Sequence, residues 1–159
     1  MSIGARGEGL IFMISQPASG STMLQRILGN HSQIHTLNEP WLMLHPLYAL
    51  RGRGHEAEYD ARAGWLRLKE FLKHVPAGNE AYLEGVRRMC AYLYDCALAP
   101  TGKRFFLDKT PPYYFIIPEL QETFPDARII FLLRWIHLFK NIHIRILCVT
   151  TIFKANQQY

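Results

Sequence analysis

Leu10-Ile11-Phe12-Met13-Ile14 is a short unbroken apolar run, and the polar stretch Ser15-Gln16-Pro17-Ala18-Ser19-Gly20-Ser21-Thr22 follows it directly. Met23, Leu24, Ile27 and Leu28 then return at the spacing of one helix face. Buried strand, polar turn and amphipathic helix make the opening of a βα unit. A strand apolar on both faces belongs in a parallel sheet covered on both sides.

The remaining segments continue that alternation. Asn30-His31-Ser32 ends the first helix, and Ile34-His35-Thr36-Leu37 predicts a short second strand before Asn38-Glu39-Pro40. Two longer helices follow. Leu68, Phe71, Leu72 and Val75 mark the first; Tyr82, Val86, Met89 and Leu93 mark the second, with Pro76-Ala77-Gly78-Asn79 between them. The aromatic and methionine side chains of these stripes are expected to be core. Phe105-Phe106-Leu107 predicts a strand ending in Asp108-Lys109-Thr110-Pro111, and residues 116–124 a helix. Arg128-Ile129-Ile130-Phe131-Leu132-Leu133 is the clearest buried strand, ending at Arg134. Strands alternating with helices predict an α/β sheet, and such sheets bind ligands at the carboxyl ends of their strands.

The chain has 159 residues, about one domain, and is 49% hydrophobic, enough for a core. Its net charge of +5 would normally suggest an anionic partner such as nucleic acid. Residues 135–159, however, hold three basic residues (Lys140, Arg145 and Lys154) and no acid. Setting that stretch aside leaves 15 basic residues (18 less 3) against 13 acidic, and +5 becomes +2. The body is nearly neutral, so no nucleic-acid partner is expected. Cys90, Cys96 and Cys148 are too few for a disulfide scaffold and are expected to be reduced and buried. With no signal-like start and no apolar run long enough to span a bilayer, a soluble cytoplasmic protein without a transmembrane segment is the expectation.

The loop after the first strand can cradle an anion. Gly20 permits positive φ or close backbone approach, Ser19, Ser21 and Thr22 offer hydroxyls, and a helix N-terminus favours negative charge. A serine-rich helix cap without a ligand is the plainer alternative. Ser21 stands where a nucleotide triphosphatase loop carries its lysine, which argues against an ordinary ATPase or GTPase.

Gln16-Pro17, Ser19-Gly20-Ser21-Thr22, Leu24-Gln25-Arg26-Ile27-Leu28, His35-Thr36 and Glu39-Pro40-Trp41 together resemble the sulfotransferase family. Leu107-Asp108-Lys109-Thr110-Pro111 and Ile129 to Arg134 also resemble it, in the same order. The resemblance implies a P-loop-type α/β domain over residues 1–134, a parallel sheet flanked by helices and incomplete at its C-terminal side. Residues 135–159 form a divergent, basic, isoleucine-rich tail that reads as out-of-frame or unrelated sequence. It further implies 3′-phosphoadenosine 5′-phosphosulfate as donor and no metal. Pro17, Ser19, Gly20, Ser21 and Thr22 would hold the 5′-phosphosulfate, and Arg134 the 3′-phosphate. Glu39 would be the general base and Lys109 would meet the transferring group. His31 and His35 straddle a helix break, which disfavours a metal pair.

Two departures from the family pattern bear on activity. Ala18 stands where the family usually carries Arg or Lys against the leaving group. Past Arg134 the helix serine that shares the 3′-phosphate is missing. Two readings therefore stand: a sulfotransferase, impaired or truncated, and a non-catalytic nucleotide- or anion-binding remnant of the same fold. The acceptor class stays open between small molecule, sugar, lipid and peptide. Uncovered sheet faces predict poor solubility.

Overall fold

The computed structural model describes residues 3–136 and 142–149, with side chains described as far as Leu133. Five strands form one sheet: β1 (Leu10–Ser15), β2 (Ile34–Thr36), β3 (Phe105–Lys109), β4 (Arg128–Ile136) and β5 (Ile142–Val149). Their order is β2-β3-β1-β4-β5. The first four are parallel, and β5 runs antiparallel to β4. The chain is thus an α/β protein with a four-strand parallel sheet, as the alternating segments predict.

β1 is central and buried along its whole length. Its side chains alternate between two covered faces, which is why the run carries no polar residue before Ser15. Ile11 and Met13 point with Leu107 toward α1 (Ser21–Gly29), whose Leu24 and Leu28 pack on them. Leu10, Phe12 and Ile14 join Phe106 and Ile129 on the opposite face. That face is covered by α2 (Leu44–Tyr48), α4 (Gly78–Leu98) and α5 (Ile117–Thr123). Phe12 is the hub of this side, with ring centroids 5.9 Å from Tyr113 and 6.5 Å from Tyr94, both edge-on. Truncating a buried aromatic of this kind costs about 3–5 kcal/mol.

α3 (Ala61–Leu72) starts at Asp60, whose carboxylate accepts from the Ala63 amide at 3.0 Å. The core stripes of α3 and α4 differ from those the spacing predicts. α4 buries Leu83, Val86, Cys90, Tyr94 and Leu98, while Met89 and Leu93 are exposed, as is Phe71 of α3. The helical period is right and the phase is one residue off. The sequence supplies two adjacent apolar stripes on α4, and the buried one is that whose Tyr94 hydroxyl finds a partner inside the protein. The other stripe turns toward α3. Phe71, Leu72, Val75, Tyr82 and Met89 help line a cavity of about 400 Å³ there.

Three further expectations are corrected. Cys90 is fully buried and burial pushes its thiol up to about 12, but Cys96 is exposed; both are free thiols. Cys148 has no described side chain. β3 does not stop at Leu107: pairing of Phe12 with Asp108 and of Met13 with Lys109 carries the strand two residues further. β4 does not end at Arg134 either, because antiparallel pairing with β5 prolongs it, with Arg134 opposite Ile144. Among the described residues, no helix is long and apolar enough to cross a membrane.

Candidate active site

The carboxyl ends of β1, β2 and β3 lie side by side, and the segments leaving them hold most of the residues singled out from the sequence. At the end of β1, Ser15 is buried and its Oγ has no partner among the described residues; the same is true of Ser19. Two such hydroxyls, one at the strand end and one in the turn after it, are unusual, because an unmade buried hydrogen bond costs about 1–3 kcal/mol. Gly20 sits at the N-cap of α1 with φ 91, a left-handed conformation glycine adopts without steric cost. No side chain caps this helix, so its first amides point into the turn, where the helix dipole favours an anion. A Cβ built on Gly20 would meet nothing within 4 Å. Ala18 also takes positive φ, at 58, where a side chain costs about 1–2 kcal/mol. Ser21 is buried, while Pro17 and Thr22 are exposed.

Lys109 ends β3 one strand away from this turn. Its ammonium donates to Glu39 Oε1 at 2.6 Å, and the two side chains are 4% and 35% exposed. Glu39 follows β2 and points its other oxygen, Oε2, at the indole N–H of Trp41, 3.3 Å away. Trp41 itself has φ 55. Thus Lys109 and Glu39 meet directly, with the ammonium on the dry side and the carboxylate on the wet side. A carboxylate so placed can take a proton from a solvent-side hydroxyl, and the ammonium can stabilise charge that develops beside it.

Gln25, buried on α1, ties the two halves of the site together. Its amide donates to Thr36 Oγ1 at 2.8 Å and to the Leu37 carbonyl at 2.7 Å. Thr36 Oγ1 in turn donates to the Leu107 carbonyl at 2.8 Å. The helix behind the serine loop, the β2 exit that leads to Glu39, and β3 are therefore held in one frame.

Arg134 lies in β4 opposite Ile144, and its side chain falls outside the described residues. His31 and His35 do not converge: His31 Nδ1 accepts from the Gln33 amide at 3.2 Å, while the His35 ring stands edge-on to Phe106. Burial and the nearby Lys103 charge hold His35 below the usual histidine range. Among the described residues, no group of three or more His, Cys, Asp and Glu side chains could hold a metal ion.

Residues that spacing alone does not single out complete the arrangement. Asp108 is wholly buried and accepts from Tyr94 (2.5 Å), Tyr113 (2.8 Å) and Thr110 (2.8 Å). Burial is the main cause that holds its carboxyl above the ordinary aspartate range. The period-2 rule could have found it: Asp108 and Lys109 are adjacent on a strand and must face opposite sides.

Comparison with known proteins gives three similarities. A model of the sulfotransferase family matches residues 11–141. The nodulation protein NoeE of Sinorhizobium fredii (strain NBRC 101917 / NGR234) is 33% identical over 128 residues, covering 79% of this chain and 28% of that protein. A solved structure described as the sulfotransferase domain from the curacin biosynthetic pathway is 23% identical, with a TM-score of 0.47. The match covers 80% of this chain and 47% of that one. The chain thus spans less than a third of NoeE and about half of the curacin domain.

Proposed function

Since this chain belongs to the sulfotransferase family, we propose that it moves a sulfuryl group from 3′-phosphoadenosine 5′-phosphosulfate to a hydroxyl or amine acceptor. The observation that carries this reading is a pair of buried serine hydroxyls, at the end of β1 and in the turn after it, that have no partner among the described residues and lie before the N-terminus of α1, one strand away from the Lys109–Glu39 pair. The residues present suit the donor. Ser15 and Ser19 have hydroxyls to give, Gly20 leaves its side open, and the α1 amides point the same way. Pro17 shapes the turn, and Ser21 and Thr22 add hydroxyls at the first helical positions. Arg134 is assigned to the 3′-phosphate on the family resemblance.

The chemistry is an in-line displacement that resembles phosphoryl transfer, in which positioning and cations do most of the work. The acceptor oxygen or nitrogen forms a bond to sulfur as the bond to the bridging oxygen breaks. The departing 3′-phosphoadenosine 5′-phosphate keeps that electron pair. Glu39 takes the acceptor's proton, a role worth roughly 10²–10⁴-fold. Lys109 lies beside Glu39 and is a cation that can meet the transferring group. No step calls for a metal.

Ala18 favours a second reading, in which the site binds the nucleotide without efficient turnover. A methyl group stands where the family usually has Arg or Lys, and losing a group aimed at developing charge costs on the order of 10²–10³ in rate. The acceptor would be a small molecule, sugar, lipid or peptide.

Calorimetric titration with 3′-phosphoadenosine 5′-phosphate, with ATP as control, tests the common premise. Selective binding near one nucleotide per chain is the expected result. A folded chain that binds neither nucleotide overturns both readings.

A further inference from the structure

Asp108 is a carboxylate with 0% exposure, and its contacts are the hydroxyls of Tyr94, Tyr113 and Thr110. Two of those hydroxyls have a second engagement. Thr110 Oγ1 accepts from the Trp41 amide at 3.4 Å, and the Tyr113 hydroxyl accepts from the Met43 amide at 3.2 Å. A hydroxyl has one hydrogen. When Asp108 takes it, the lone pairs are left to face the amides, so the carboxylate decides how both backbone groups are held. Between those amides and the reaction lies a strained residue. Trp41 has φ 55, and such a conformation in a bulky residue persists only where its surroundings over-determine it. Its indole N–H then reaches Glu39 Oε2, while Lys109 holds Oε1.

We propose that Asp108 is a positioning residue for sulfuryl transfer: through Thr110 and Tyr113 it locks the backbone at Trp41 and Met43, and through Trp41 it aims the Glu39 carboxylate. The assignment rests on Glu39 being the base of the proposed reaction. It also accounts for a cost. A buried carboxylate stabilises a fold no better than well-packed apolar residues of similar volume, and burial holds this one above its ordinary range. A charge kept at a cost to the fold is accounted for if the position it enforces serves the chemistry.

The test has two arms. In the first, amide hydrogen exchange is compared between the native chain and Asp108→Asn, which keeps the shape but must turn an N–H either toward Thr110 on one side or toward Tyr94 and Tyr113 on the other. Exchange at Trp41, at Met43 or at both is expected to quicken at least tenfold while Phe12 and Met13 on β1 stay unchanged. Uniform acceleration across the sheet, or none at residues 41 and 43, overturns the proposal. Thr110→Val, which cuts one relay, and Thr110→Ser, which restores it, give the same comparison if Asp108→Asn does not fold.

In the second arm, turnover is measured for Asp108→Asn in the native and the Glu39→Gln backgrounds. A loss in kcat on the order of ten- to a hundredfold is expected in the native background and almost none where Glu39 is already neutral. Affinity for 3′-phosphoadenosine 5′-phosphate is expected to be unchanged. Equal losses in both backgrounds overturn the proposal. A native chain that turns over no donor defeats the enzymatic reading instead, and the exchange arm then decides alone whether Asp108 locks the Glu39 segment.

Discussion

Removing either member of the Lys109–Glu39 pair breaks the same 2.6 Å contact, yet the two removals are expected to differ in stability. The Lys109 side chain is 4% exposed and that of Glu39 35% exposed. Glu39→Ala leaves an ammonium inside the protein without its carboxylate. Breaking a fully buried pair this way costs about 3–5 kcal/mol. Water reaches the Glu39 side, so a discounted cost of about 2 kcal/mol is expected. Lys109→Met takes the charge away and leaves an apolar chain of similar length in a dry site, while Glu39 can turn to water. Its cost is at most about 1 kcal/mol.

For a chain of this size each kcal/mol shifts Tm by about 2–4 °C. Glu39→Ala is thus expected to melt about 4–8 °C below the native chain, and Lys109→Met no more than about 4 °C below it. The double variant is expected to match Lys109→Met alone. Urea unfolding at constant m-value is the assay. A Lys109→Met variant as damaged as Glu39→Ala, or a double variant showing the sum of both losses, would refute the burial argument. Lys109→Met should nevertheless abolish turnover, so that the fold tolerates what the chemistry does not.

Three other outcomes follow from particular residues. Ala18→Arg is expected to raise turnover on the order of 10²-fold, measured as initial rate at saturating donor; an unchanged rate would mean the site is broken elsewhere. Gly85→Ala on α4 adds a Cβ that meets nothing within 4 Å, so replacing a helix-interior glycine should stabilise by about 1 kcal/mol, read from the urea midpoint. Because burial raises the Asp108 carboxyl above its ordinary value of 3.8, the folded state holds more proton than the unfolded state between the two values. Its contribution to stability therefore falls as pH rises through that window. The native chain should gain stability relative to Asp108→Asn as pH is lowered from neutrality toward the ordinary aspartate value, measured by urea unfolding at each pH.

The strand–turn–helix at residues 10–29 is legible because both faces of β1 are covered, which requires an unbroken apolar run and a sharp polar end. The family resemblance also brings out Ser19, Gly20, Glu39 and Lys109, since their spacing from strand ends is local information. The Lys109–Glu39 contact joins residues 70 positions apart, and the sequence alone leaves open whether Lys109 pairs with Glu39 or with its neighbour Asp108. Asp108 is hidden for a different reason: one polar residue beside Lys109 reads as surface until the strand is known to continue through both. The phase of α4 is ambiguous in principle, because Met89 and Leu93 offer an apolar stripe as good as Cys90 and Tyr94. Only the hydroxyl partners around Asp108 decide between them.

The parallel order of the sheet has a consequence for the chain as it is made. β1 lies at residues 10–15, but the neighbours that flank it are at 105–109 and 128–136. At the usual pace of a ribosome, about 5–20 residues per second, the most apolar strand waits on the order of ten seconds for its second flank. Throughout that interval the edge of β1 that β4 will pair with is open to any other nascent chain. The yield of this protein is therefore expected to depend on what shields residues 10–15 during translation as much as on the stability of the finished sheet.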